Sequence, residues 1–418
     1  MTRTPERRGS AQTAHRRITA ALTTTGLLAL TACTAPTTAS APPAEAATSA
    51  TPSAAAPVRE LTPAVTARLD KAIEGTRRQA GVPGVIVGLF VPGEAEYVRS
   101  FGVADKSSGA PMSDDLHMRI GSETKTFTVT ALLRLVDAGK VGLDDPVSEY
   151  LQGVPGGNGI SLRQLAEMRS GLFSYSEDPD FDKAFLADPD RDFTPEQLLG
   201  YAFKHPADFP PGQKFQYSNT NTILLGLVVE KVSGRSLGDF LQREVFRPSG
   251  LERTLFPVGA EFPKPHAQGY TTQTENGEQA DATDWNPSWA WAAGAMISDL
   301  DDLRTWGRVV ATGTLLKPAT QAQRLRTLPT GYPGTGYGLG IFVNHGWLGH
   351  NGSLPGYQSV VVYLPSAKAT LVVLSNTDND YLGNENSTLF AKTITGIVTP
   401  GNIYDLPPAP PSSASPSG

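Results

Sequence analysis

The chain has 418 residues, 39% of them hydrophobic, enough to build a substantial core in one large domain or two modest ones. A formal net charge of -6, with no basic run in the body of the chain, argues against a nucleic-acid-binding surface. One cysteine excludes a disulfide framework, and the six histidines show no ligand spacing with Cys, Asp or Glu, so neither metal nor cofactor is expected.

Residues 1–33 read as an export signal. Arg3, Arg7, Arg8, Arg16 and Arg17 form a basic leader, Ile18 to Leu30 is modestly apolar, and small residues follow. The apolar stretch is too short and too rich in threonine to span a membrane. It closes on Leu30-Thr31-Ala32-Cys33, which resembles the bacterial lipoprotein box. Cys33 is therefore the candidate lipidation site, and the protein is expected outside the cytoplasm, anchored to the cell membrane. Arg16-Arg17 leaves the general and twin-arginine export routes both open. Residues 34–57, almost entirely Ala, Thr, Pro and Ser, cannot bury enough apolar surface to fold and read as a tether.

The folded part is expected over residues 58–400, followed by a disordered Pro/Ser tail over 401–418. Thr62-Pro63 caps a first helix with Val65, Leu69 and Ile73 on its apolar face, ending at Gly81. Val85 to Phe90 and Tyr97 to Val103 form a hairpin around Pro92-Gly93, and Leu116 to Ile120 has the alternation of a short strand. Phe127, Val129, Leu132, Leu133, Leu135 and Val136 give the apolar face of a second helix. From about residue 146 to 250 the signals are helical. Ser161 with Gln164 and Thr194 with Gln197 have capping-box spacing, and Ile223 to Val232 is an apolar helix ending before Gly234. Strand-like runs return at Gly338 to Val343, Ser359 to Leu364 and Thr370 to Leu374, and a closing helix is expected at Leu389 to Val398. The pattern predicts a mixed α/β fold: an antiparallel sheet flanked by helices, plus an all-helical lobe.

Three segments carry chemistry. In Gly121-Ser122-Glu123-Thr124-Lys125, a serine and a lysine stand three apart at a helix start, so both side chains lie on one face and can share a proton. Serine becomes a useful nucleophile when a base takes its proton, and lysine serves as that base once desolvation lowers its pKa. A capping serine followed by a surface lysine is the competing reading. In Tyr217-Ser218-Asn219, a phenol and an amide two apart in an extended loop point the same way; an ordinary surface loop competes. In Gly349-His350-Asn351-Gly352-Ser353, a glycine on a strand edge lets a ligand approach the backbone, against a plain Gly-rich turn.

In this order and at these separations the segments resemble the penicillin-recognising serine hydrolases, which share an SxxK helix, a YxN loop and a KTG-like strand. The likeness runs from about residue 60 to 398 and includes Leu132 to Leu143, Arg169 to Leu172, His266 to Tyr270 and Gly336-Tyr337-Gly338-Leu339-Gly340, stretches similar to the class C β-lactamase-like branch. Histidine in place of the strand lysine looks most like the secreted serine D-alanyl-D-alanine carboxypeptidases of actinobacteria. The resemblance implies Ser122 as nucleophile, Lys125 as base and Tyr217 as proton relay. It also implies that Asn219 bonds the substrate amide and that His350, Asn351 and Gly352 form the strand triad. The backbone N–H groups of Ser122 and Ser353 would form the oxyanion hole, and Trp289 an aromatic wall, with core packing as its alternative role.

The implied activity is D-alanyl-D-alanine carboxypeptidase, through an acyl-enzyme, on peptidoglycan stem peptides, with acylation by β-lactams; a monomer is expected. A β-lactamase or short-chain esterase would use the same residues, and a non-catalytic cell-wall peptide-binding module is the alternative of another class. One departure stands out. The carboxypeptidases of this branch carry arginines after the GYGLG segment, one of which helps hold the substrate carboxylate, whereas here Ile341-Phe342-Val343-Asn344-His345 follows. Arg324 or Arg326 is the candidate substitute.

Overall fold

The structure, a computed structural model, describes residues 59–94 and 96–407 together with Thr48–Ser49. The export signal, Cys33, most of the expected tether and residues 408–418 lie outside the described residues. Within the tether, Thr48–Ser49 forms a short strand paired antiparallel with Thr327 and Arg326, so backbone pairing at a sheet edge orders two residues whose composition favours disorder.

The first helix, Pro63–Gln79, starts as its sequence requires: the Thr62 hydroxyl accepts from the Val65 N–H, and Pro63 occupies a position where no N–H is needed. Leu69 and Ile73, one turn apart, are fully buried against Phe390 and Ile394 of the last helix, Asn386–Val398. These two helices cover one face of the main sheet. The sheet runs, from edge to edge, Thr48–Ser49, Arg326–Pro329, Thr335–Tyr337, Phe342–Asn344, Trp347–Leu354, Tyr357–Leu364, Ala369–Ser375, Gly84–Phe90 and Tyr97–Gly102, with antiparallel neighbours throughout. All seven residues of Ala369–Ser375 are buried because both faces are covered: Leu371 and Val373 join the core under the terminal helices, Val372 and Leu374 the core on the other side.

That second face is closed by Leu300–Thr312 and by Thr124–Asp137, where Trp306 stacks on Phe127 with ring centroids 3.8 Å apart. Leu300–Thr312 was not among the expected elements, although Asp299 caps it and Leu303, Trp306 and Val310 recur at helical spacing. Between residues 146 and 250 the described elements are all helical. Both capping boxes form, and Asn219–Ser233 ends at Gly234 in the left-handed conformation.

Three expectations need correction. Of Leu116 to Ile120, Met118–Arg119 alone is a strand, and it pairs with Ile297–Ser298 apart from the main sheet. Gly338 to Val343 is not one strand: Gly338 N–H donates to the Ile341 carbonyl, and the glycines fold the chain back between Thr335–Tyr337 and Phe342–Asn344. The expected tail begins too early, because Tyr404 is buried beside Trp347 and the Asp405 N–H donates to Asn344 at 2.8 Å. A large aromatic ring anchors this stretch despite its polar, proline-bearing surroundings. Among the described residues, no helix is long and apolar enough to cross a membrane.

Candidate active site

Ser122 lies in a single 3-10 turn, Gly121–Glu123, that runs directly into the helix Thr124–Asp137. The turn is pressed against the strand Trp347–Leu354. A side chain on Gly352 would put its Cβ 2.0 Å from the Ile120 carbonyl oxygen, and one on Gly121, whose φ is +53°, would come 2.6 Å from the Ser353 nitrogen. Glycine at both positions lets the two backbones meet, which brings Ser353 alongside the serine turn.

One helical turn on, the Lys125 amine sits 2.9 Å from the Ser122 hydroxyl oxygen and donates to the Ala293 carbonyl at 2.7 Å. Lys125 is fully buried, and among the described residues no carboxylate forms an ion pair with it. Desolvation holds its pKa well below the ordinary amine range, which favours the neutral, basic form. The spacing read from sequence thus becomes a serine beside a stripped amine.

Tyr217 arrives from the loop before Asn219–Ser233, its ring 4.8 Å from the Lys125 nitrogen. Its buried hydroxyl has no partner of hydrogen-bond geometry, although Ser122 is close enough to offset part of the rise that burial imposes on the phenol pKa. Such loose contacts are common in empty sites and tighten around a substrate. Asn219 opens the helix and donates to the Ser176 hydroxyl at 2.9 Å.

Ser122, Tyr217, Asn219, Asn351 and Ser353 line one cavity of about 380 Å³, so five residues from three distant segments converge as the motifs implied. Other expected residues do not line it. Gly352 lies behind it, as the contact partner of Ile120. His350 is buried with Tyr337 and Phe342, and its ring centroid is 6.0 Å from that of Tyr217. Its Nδ1–H donates to the Asn351 carbonyl at 2.5 Å and its Nε2 accepts from the Tyr337 hydroxyl at 3.3 Å. Burial first, and Lys125 second, push its pKa down to about 3. His350 therefore packs and orients its neighbours as a neutral ring and brings no positive charge to the site. Trp289 is half-buried against Phe181 and Phe185, which makes it core packing; Phe215, Tyr332 and Phe342 form the aromatic wall instead.

Neither candidate substitute for the missing arginine reaches the cavity. Arg324 is buried behind the serine helix, donating to the Thr130 hydroxyl and the Thr126 carbonyl, and Arg326 is exposed. The charged residues that do line the cavity are Asp380 and Glu385, and neither was singled out from the sequence. Nothing local marks them; they follow the last strand and meet Ser122 only through the fold. The Ala293 carbonyl, a backbone group, left no residue-type signal at all.

A hydroxyl beside a desolvated amine, with a phenol next to both, defines a serine hydrolase site. The chain belongs to the Beta-lactamase family, whose model matches residues 69–389. It is 25% identical over 345 residues to Penicillin-binding protein 4* of Bacillus subtilis, covering 76% of this chain and 72% of that protein. A D-stereospecific amidohydrolase from Streptomyces sp. superposes with a TM-score of 0.72 at 32% identity, over 80% of this chain and 99% of that one. The D-amino acid amidase of Ochrobactrum anthropi SV3, complexed with D-phenylalanine, gives 0.70 at 27% identity, over 79% and 98%.

Proposed function

We propose that the protein hydrolyses amide bonds of D-configured acyl donors through an acyl-enzyme on Ser122. The observation that carries this reading is the 2.9 Å approach of a fully buried Lys125 amine to the Ser122 hydroxyl. Ser122 attacks the carbonyl carbon and passes its proton to the neutral Lys125 amine. The oxyanion is received by the backbone N–H groups of Ser122 and Ser353. Proton return from Lys125 through Tyr217 lets the amine leave, and water then cleaves the ester to restore Ser122. Asn219 and Asn351 hold the substrate amide groups.

The D-configuration is supported by the names of the two structural relatives. D-alanyl-D-alanine carboxypeptidase is the second reading, favoured by the likeness to a penicillin-binding protein. It asks for a cation to receive a free carboxylate, and neither lysine nor arginine lines the cavity among the described residues. In the cell the protein is proposed to act as a monomer outside the cytoplasm, held at the membrane through lipid on Cys33.

The test compares ammonia release from D- and L-phenylalanine amide with D-alanine release from a D-alanyl-D-alanine peptide, using wild type and Ser122→Ala. The reading expects Ser122-dependent turnover of the D-amide above the L-amide and the peptide. Faster turnover of the peptide establishes the carboxypeptidase reading instead, and turnover that survives Ser122→Ala overturns both.

A further inference from the structure

We propose that the cavity selects acyl donors carrying a free primary ammonium group, which is bound between the carboxylates of Asp380 and Glu385. The inference rests on the amide-hydrolase reading above and names its substrate class.

Asp380 and Glu385 are the charged residues in the lining, and neither forms an ion pair among the described residues. Each carboxylate uses one oxygen. Glu385 Oε2 accepts from the Asn351 side-chain amide at 2.7 Å, and Asp380 Oδ1 accepts from the Gln358 amide at 3.1 Å. The other oxygens, Glu385 Oε1 and Asp380 Oδ2, accept no hydrogen bond from the described residues and remain for a donor from outside. A group with several N–H donors and a positive charge satisfies both, whereas a terminal carboxylate meets repulsion.

The position fits the chemistry. Asn351 and Ser353 are two apart on one strand, about 7 Å, and both line the cavity. Asn351 holds Glu385, while Gln358 spans Ser353 at 3.4 Å and Asp380 at 3.1 Å. Both carboxylates are thereby tied to the strand that lies against the Ser122 turn, and they line the same cavity as Ser122. The cavity also holds the buried, unpartnered Tyr217 hydroxyl, a second sign that a polar ligand completes it. Phe215, Tyr332, Phe342 and Leu406 supply an apolar wall for the rest of an amino acid. Burial, with Asp380 adding to it, pushes the Glu385 carboxyl up to about 7, and an arriving cation restores its ionised form.

The test measures kcat and KM for two pairs of amides: D-phenylalanine amide against its N-acetyl derivative, and Nα-acetyl-D-lysine amide against N-acetyl-D-norleucine amide. The first pair reports an α-amine and the second a side-chain amine. Wild type is expected to favour the amine-bearing member of one pair by roughly 10- to 100-fold, mostly through KM. Asp380→Asn and Glu385→Gln are expected to cut that ratio about tenfold each; Asp380 is exposed, so its replacement leaves packing intact. Labelling by a fluorescent fluorophosphonate, a serine-directed probe without a carboxylate, in the same samples separates the two levels of the account. Labelling that depends on Ser122, together with turnover of both members of each pair without preference, or a ratio unchanged in both variants, overturns the ammonium site alone. Absence of both label and turnover overturns the hydrolase reading with it.

Discussion

Gly352→Ala tests whether the strand edge and the serine turn work as one unit. A Cβ at this position falls 2.0 Å from the Ile120 carbonyl oxygen and 2.7 Å from the Ser359 hydroxyl, which itself donates to that carbonyl at 2.9 Å. Ordinary contact begins near 3.4 Å, so the strand and the turn must part by about 1.4 Å. The neighbour is backbone and has no rotamer to yield. A shift of that size moves the Ser353 N–H away from the place where the oxyanion develops. Loss of one such donor costs roughly 10²- to 10³-fold in rate, and the strain itself costs about 1–3 kcal/mol of stability. The assay is the second-order rate of acylation by p-nitrophenyl acetate, which carries no carboxylate, with thermal unfolding recorded beside it. A folded variant acylated within about twofold of the wild-type rate refutes the idea that this close approach builds the site.

Lys125→Ala is expected to fold and to lose about 10²- to 10⁴-fold in acylation rate, read by the same acylation assay. In wild type that rate rises with pH as Lys125 loses its proton and levels off below the ordinary amine range, because burial lowers its pKa; a profile rising only at the usual lysine pKa contradicts this. Tyr217→Phe removes a hydroxyl that has no partner, so stability is expected to hold. Amide turnover is expected to fall about 10²-fold or more, and turnover of p-nitrophenyl acetate far less, since p-nitrophenolate leaves without a proton. His350 resists protonation down to about pH 3, whereas the unfolded chain takes up that proton near 6.5, so stability is lost as pH falls through this window. At pH 4.5 the loss from this one group is about 3 kcal/mol, and His350→Gln is expected to flatten that part of a urea-denaturation pH series.

Features that depend on neighbours in sequence could be read before any fold was known. The Thr62 cap, the two capping boxes and the Ser122–Lys125 spacing are decided within four residues, and each forms as its residue types require. The convergence of Tyr217 and Ser353 on Ser122 came from resemblance rather than from local pattern. Features decided by the partner surface stayed hidden. Trp289 packs into the helical core because Phe181 and Phe185 meet it there, and His350 is neutral because Tyr337 and Phe342 enclose it. The glycines between Thr335–Tyr337 and Phe342–Asn344 look strand-like when counted for alternation, yet the chain reverses there. Asp380, Glu385 and Leu406 enter the cavity from beyond the last recognisable motif, so the sign of its charge emerges from the fold alone.

The central claim is that Ser122 carries the acyl group. The most direct measurement is mass spectrometry of proteolytic fragments after incubation with a slowly released D-amino acyl ester. The account predicts one adduct, on the fragment containing Ser122, absent from Ser122→Ala and strongly slowed in Lys125→Ala. An adduct on another residue, or steady turnover in Ser122→Ala, contradicts it.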